Sequence, residues 1–161
     1  MDDLPQLSAL NAQDREWVRQ LTSDNWGGPT VVAHGTIYYP EQLPGYILRQ
    51  AGSILGMITY IVDGDACEIV TLLSLVSGKG IGTALIRAVE DKARQSGCRR
   101  LWLITTNDNL NAIRFYQKRG FQLTTVFPDA AAASRLLKPS IPIIGDDGIP
   151  IRDELKFEKT L

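Results

Sequence analysis

The sequence predicts an α/β (α+β) fold: a mixed, mostly antiparallel central sheet of about six to seven strands, flanked by helices on both faces. Two observations carry this. Between residues 46 and 75, apolar β-rich runs are separated by the short breaks Ala51-Gly52-Ser53 and Asp63-Gly64-Asp65, the spacing of consecutive hairpins. From Gly80 onward, strand-length apolar runs alternate with runs of helical period, which requires at least one parallel crossover in the same sheet.

Each element has its own signal. Asn11 precedes a run holding Trp17, Val18 and Leu21, which predicts a first helix ending at Asn25-Trp26-Gly27-Gly28-Pro29. Thr30 to Tyr38 is strand-like but broken by His34-Gly35, and Pro40 to Gly45 reads as a loop with a helical turn. Tyr46 to Gln50 and Ile54 to Val62 form a hairpin, followed by a strand from Cys67 to Leu75. A helix from Gly80 to about Ser96, a strand at Arg100 to Thr105, a brief helix and a strand at Gln122 to Phe127 come next. The connection from Pro128 to Gly148, about twenty residues, is longer than ordinary loops; such segments are lids or substrate walls, or surface excursions without a role. Ile151, Leu155 and Phe157 suggest a final strand. A length of 161 residues suits one domain over residues 1–161.

The most informative segment is Ser77-Gly78-Lys79-Gly80-Ile81-Gly82-Thr83. Glycines at alternate positions remove every other Cβ from a tight turn, so successive N–H groups can approach one anion. Ile81, Ala84, Leu85, Ala88, Val89 and Ala93 follow at helical spacing, placing the turn at a helix N-terminus, where unpaired donors and the dipole favour negative charge. A nucleoside-triphosphate loop needs a hydroxyl directly after the Lys, but Gly80 stands there, and its first Gly is missing as well. A dinucleotide fingerprint needs a third Gly where Thr83 stands. A ligand-free strand-to-helix turn is the remaining ordinary reading.

A second segment runs Thr105-Thr106-Asn107-Asp108-Asn109-Leu110-Asn111-Ala112-Ile113-Arg114-Phe115-Tyr116-Gln117-Lys118-Arg119-Gly120-Phe121, with capping residues, a short apolar-periodic run, cations in the last turn and a Gly stop. Together the two segments resemble the acyl-CoA-binding core of the GNAT superfamily of N-acetyltransferases, over about Ile54 to Phe127. That resemblance implies acetyl-CoA as co-substrate, with Gly78, Lys79, Gly80, Ile81, Gly82 and Thr83 around its pyrophosphate. It implies that Asn107 and Asn111 support the cofactor, and that backbone donors at Leu73 and Leu75 meet the thioester carbonyl where two strands splay. Tyr116 takes the family's tyrosine position, as general acid toward the departing sulfur and as part of the cofactor site. Ser77 departs from the family's usual Arg or Gln.

The base has two candidates. Glu68 lies on the strand where many relatives carry a carboxylate, and alternation places it on the face of Val70 and Leu72; it is a base or an edge charge. His34, the only histidine, is a base near neutral pH or satisfies a local hydrogen bond. Trp26, Tyr38 and Tyr39 line an acceptor pocket or belong to the core, and the 128–148 segment joins the His34 region on the acceptor side. The implied reaction is acetyl transfer to a primary amine, on a small molecule or on a protein or peptide, by direct attack in a ternary complex. The alternatives are a CoA-binding sensor without turnover and a larger acyl group.

Composition sets the outer limits. A net charge of −1 with dispersed basic residues argues against nucleic acid and acidic lipid as partners, although Asp146, Asp147, Asp153 and Glu154 suggest a local acidic patch. No apolar run is long enough to span a bilayer, so the expectation is a cytoplasmic protein without a membrane partner. Cys67, Cys98 and His34 lack metal-ligand spacing, so no metal is expected. Neither cysteine lies in the two motifs, which argues against a thiol relay. Apolar positions at the sheet edge would allow a homodimer.

Overall fold

The computed structural model describes residues 3–161. Strand β1 (Gln6–Ala9) and helix α1 (Arg15–Trp26) precede a small hairpin, β2 (Val31–Ala33) and β3 (Thr36–Tyr38). The strands β4 (Gly45–Gln50), β5 (Ser53–Asp63) and β6 (Ala66–Ser74) lead into α2 (Ile81–Gln95), β7 (Arg100–Thr106), α3 (Leu110–Lys118) and β8 (Gln122–Phe127). Helix α4 (Ala130–Leu137) and β9 (Glu154–Thr160) follow, and short 3-10 turns lie at Ala12–Asp14, Pro40–Gln42 and Asp146–Gly148.

Seven strands form one sheet in the order β1-β4-β5-β6-β7-β9-β8, and β2 pairs only with β3. Every pair in the large sheet is antiparallel except β6 with β7. The expected mixed sheet with hairpins first and a crossover later is therefore observed. The final strand inserts between β7 and β8, where Phe157 is 1% exposed.

One face of the sheet holds the main core. Leu85, Val89 and Ala93 of α2, each fully buried, pack with Ile58, Cys67, Leu101 and Phe157, which is why that helix carries an apolar stripe at spacings of four. Tyr116 and Phe121 extend the same cluster under α3. Alternation directs Ile47 and Met57 to the opposite side, where α1 buries Val18 and Thr22.

Two elements differ from expectation. The 128–148 segment is not a bare loop: the alanine run, a strong helix former, folds as α4 between Pro128 and Pro139 and buries Ala131 and Ser134. Strand β1 has an exposed, unpatterned sequence and owes its form to pairing with β4, which no local signal reports.

Candidate active site

Strands β6 and β7 are in register only from Ala66 to Ile69 and from Arg100 to Leu103. Beyond those residues β6 runs on to Ser74 and β7 to Thr106 without pairing to each other, which opens a gap in the sheet. The backbone of β6 decides what faces this gap. Leu75 N–H donates to Leu55 O (2.8 Å), and Met57 pairs with Leu73 two residues back, so both of these residues direct their backbone groups toward β5. The alternate residues Leu72 and Ser74 therefore turn theirs toward the gap. This corrects the expectation for Leu73 and Leu75 by one residue.

A pocket of about 610 Å³ lies beside the gap, between β6, the first turn of α2 and α3, within the size range of cofactor sites. Leu72, Ser77, Gly80, Thr83, Asn111 and Tyr116 are on its wall. Gly78 (φ 74°) and Gly80 (φ 70°) are both left-handed, and a Cβ at either would meet nothing within 4 Å. No side chain caps α2, so the first-turn N–H groups face an open concavity. The helix starts this abruptly because Gly80 reverses the chain at its N-cap. Gly82 serves packing instead: a Cβ there would come within 2.8 Å of Phe115, so α2 and α3 approach closely. Open glycines, unpaired donors and positive charge on the wall fit the phosphates of an acyl-CoA.

Helix α3 places three wall residues in register. Asn109 accepts from Ala112 N–H as N-cap (3.2 Å) and lines the pocket with Asn111. Tyr116 sits between Phe115 and Phe121, with ring centroids 5.3 and 5.4 Å away. Burial pushes its phenol well above the ordinary value of 10, so the hydroxyl keeps its proton. Among the described residues this hydroxyl has no hydrogen-bond partner, and it reaches the pocket wall. Asn107 stands elsewhere: its amide donates to Pro150 O and accepts from Arg152 and Asp153 N–H, fastening the approach to β9. Lys79 is exposed beside the turn and is not on the wall. Asn109 and Arg119, on the wall, were missed by sequence reasoning; Asn109 is three residues before Ala112, the spacing the motif itself spells.

On the reverse face of β6 lies a compact polar cluster. Tyr38 hydroxyl donates to Glu68 Oε2 (2.9 Å), and His34 Nε2 is 2.8 Å from the Tyr38 oxygen and 3.2 Å from Glu68 Oε1. Burial and the adjacent Glu68 carboxylate push the Tyr38 phenol well above its ordinary value, committing its single proton to Glu68. His34 Nε2 closes the triangle with both groups. The imidazole is held against Trp102 (5.4 Å between centroids), which in turn carries Lys156 Nζ over its ring.

The β2–β3 turn delivers His34 to this cluster. His34 has φ 40° and Gly35 φ 78°, the left-handed pair that two-residue hairpins need, and His34 N–H donates to Glu154 Oε1 (2.8 Å). Glu154 also accepts from Ser134 of α4 (3.4 Å), and Lys138 Nζ donates to Trp26 O and Thr30 O. The 128–148 segment is thus tied to the His34 hairpin. Trp26 contributes that carbonyl, whereas Tyr39 is exposed outside the cluster. Asp153 pairs with Arg152 and accepts from Asp129 N–H, so it and Glu154 are occupied rather than part of a free acidic patch.

Glu68 and Leu72 face opposite sides, against the expectation from simple alternation. Tyr60 opposes Ile69 while Thr59 opposes Thr71, leaving Val70 as a bulge that shifts the parity of the strand. One strand therefore presents a buried acid on one side and a pocket wall on the other.

A sheet divided in this way, with an uncapped helix N-terminus beside the gap, offers a place for an anionic ligand. The Acetyltransferase (GNAT) family model matches residues 11–121, and the chain belongs to that family of acyltransferases. The Bacillus subtilis (strain 168) protein YdhI, itself uncharacterized, is 49% identical over 138 residues, covering 85% of this chain and 86% of YdhI. The IAA acetyltransferase from Bacillus cereus superposes with a TM-score of 0.75 at 21% identity, over 98% of this chain and 100% of that one. A GNAT family acetyltransferase from Elizabethkingia anophelis, solved with acetyl-CoA bound, has a TM-score of 0.68 at 19% identity, over 98% of both chains. At these identities the solved structures speak for the fold. Among the described residues, no helix is long and apolar enough to cross a membrane, and no cluster of three or more metal-ligating side chains occurs.

Proposed function

We propose that the chain is a single catalytic domain that transfers an acetyl group from acetyl-CoA to a primary amine, on a small molecule or a polypeptide, by direct attack in a ternary complex. The observation that carries this is the strand β6, which supports the cofactor pocket through Leu72 and Ser74 and holds Glu68 on the reverse face beside the gap. When bound, acetyl-CoA supplies a thioester carbonyl carbon open to attack by the amine. The N–H groups of Leu72 and Ser74 hydrogen-bond the carbonyl oxygen as negative charge grows on it. Glu68 accepts the amine proton, directly or through water, while Tyr38 and His34 hold its carboxylate in place. Tyr116 donates a hydrogen bond to the sulfur. Its phenol lies well above 10 and a thiol near 8.5, so full proton transfer is uphill and the hydroxyl stabilises developing charge.

Release of free thiol from acetyl-, propionyl- and succinyl-CoA, with and without a panel of amines, tests the reaction. Amine-dependent release with acetyl-CoA is expected, and Glu68→Gln should lower kcat by about 10²- to 10⁴-fold. Release that no amine accelerates would exclude a transferase acting on amines. An unchanged kcat in Glu68→Gln would remove Glu68 as the base.

A further inference from the structure

Of the residues on the wall of the cofactor pocket, Arg119 alone carries a charge. Its guanidinium is braced on three sides. Nε donates to Thr83 Oγ1 (2.9 Å), Nη1 donates to Phe115 O (2.9 Å), and the guanidinium carbon lies 3.5 Å from the centroid of the Phe115 ring. Among the described residues it pairs with no carboxylate, and its Nη2 protons have no partner. A planar fork stacked on an aromatic ring keeps its unused donors in the plane of the guanidinium, and here the group stands beside the first turn of α2. Arg49, Arg94, Arg100 and Arg152, by contrast, all face carboxylates.

We infer that Arg119 is the phosphate-binding cation of this pocket, standing in for the side-chain contact that Ser77 cannot make. This rests on the reading of the pocket as a CoA site. Ser77 lies at the start of the glycine turn, where its short neutral side chain leaves the anion to backbone donors. Arg119 reaches the same first turn from α3, and Thr83 fixes its direction. The free Nη2 protons can donate to phosphoryl oxygens, and the charge of the guanidinium has no protein counter-ion to give up.

Isothermal titration of CoA and of dephospho-CoA, which lacks the 3′-phosphate, into the wild-type protein and Arg119→Gln tests the assignment, with Tm measured for each protein. CoA binding should weaken about 10- to 100-fold in the variant, the range for losing a charge-assisted hydrogen-bond pair. An equal loss for both ligands puts Arg119 on the pyrophosphate, and a loss confined to CoA puts it on the 3′-phosphate; either supports the assignment. Arg119→Lys keeps the charge without the fork and should recover part of the affinity. Affinity that follows Tm instead of charge across the two variants overturns the proposal, as does unchanged binding in Arg119→Gln. Failure of the wild-type protein to bind CoA would overturn the CoA site itself, a result distinct from the loss of Arg119 alone.

Discussion

Gly80→Ala separates the two demands made on the glycine turn. Gly80 is the N-cap of α2 at φ 70° and ψ 19°, and a Cβ there meets no protein atom within 4 Å. The variant therefore suffers no clash, and its folding cost is that of a left-handed alanine, about 1–2 kcal/mol. For a domain of this size that is a fall in Tm of about 2–8 °C. Gly80 is also on the pocket wall, so the added methyl takes up space beside the first-turn N–H groups. If it displaces a phosphate from one charge-assisted hydrogen bond, the loss is about 1.5–3 kcal/mol, or roughly 10- to 100-fold in Kd. Thermal unfolding and calorimetric titration with CoA measure the two effects on one sample. A Tm that falls as expected while the Kd for CoA stays within a factor of about two would refute the cradle, since the space would then be empty of ligand.

Two further outcomes follow from buried titrating groups. Tyr116→Phe should lower kcat much more than affinity for acetyl-CoA; because burial holds the wild-type phenol above 10, activity should show no alkaline loss from Tyr116 up to about pH 9, and such a loss absent from the Phe variant would contradict this. Burial pushes the Cys67 thiol up to about 12, so a thiol-specific chromogenic reagent at pH 8 should label it only after unfolding. The sign of the linked stability is fixed: the folded thiol stays neutral up to about 12 while the unfolded one ionises near its ordinary value, so stability falls with rising pH between the two, and Cys67→Ala should flatten that fall in pH-dependent chemical denaturation.

The glycine-turn half of the candidate site was legible because its chemistry is local. A glycine turn and the helix that follows it are contiguous in sequence, and the donors are backbone groups whose presence needs no tertiary information. Leu85, Val89 and Ala93 likewise announce a buried helix face by spacing alone. The acceptor half was not legible in the same way. Tyr38, His34 and Glu68 were all singled out, but separately, because Glu68 comes 30 positions after Tyr38 and only the folded hairpin brings them together. Trp102 read as a strand residue until the sheet placed it under the His34 ring. Arg119 looked like a helix-terminal cation, which is what its position predicts in the absence of α2. Helix α4 was hidden by the prolines around it, which made its stretch look like a loop.

The bulge at Val70 has the widest consequence for mechanism. In a regular strand, Glu68, Val70 and Leu72 would share one face, and a base at residue 68 would compete with the cofactor for the same pocket. The extra residue reverses the parity, so Glu68 turns to the Tyr38 and His34 side while Leu72 stays on the pocket side. Parallel pairing to β7 also ends at Ile69, one residue before the bulge, so the gap and the parity change arise together. A bulge that bends β6 away from its partner accounts for both. Under the proposed function the two substrates would approach from opposite faces and meet in the gap, as direct attack requires. Inserting one residue in β5 between Thr59 and Tyr60 would give Val70 a partner, make the strand regular and put Glu68 on the cofactor face, so transfer should be lost even in a protein that still folds and binds CoA.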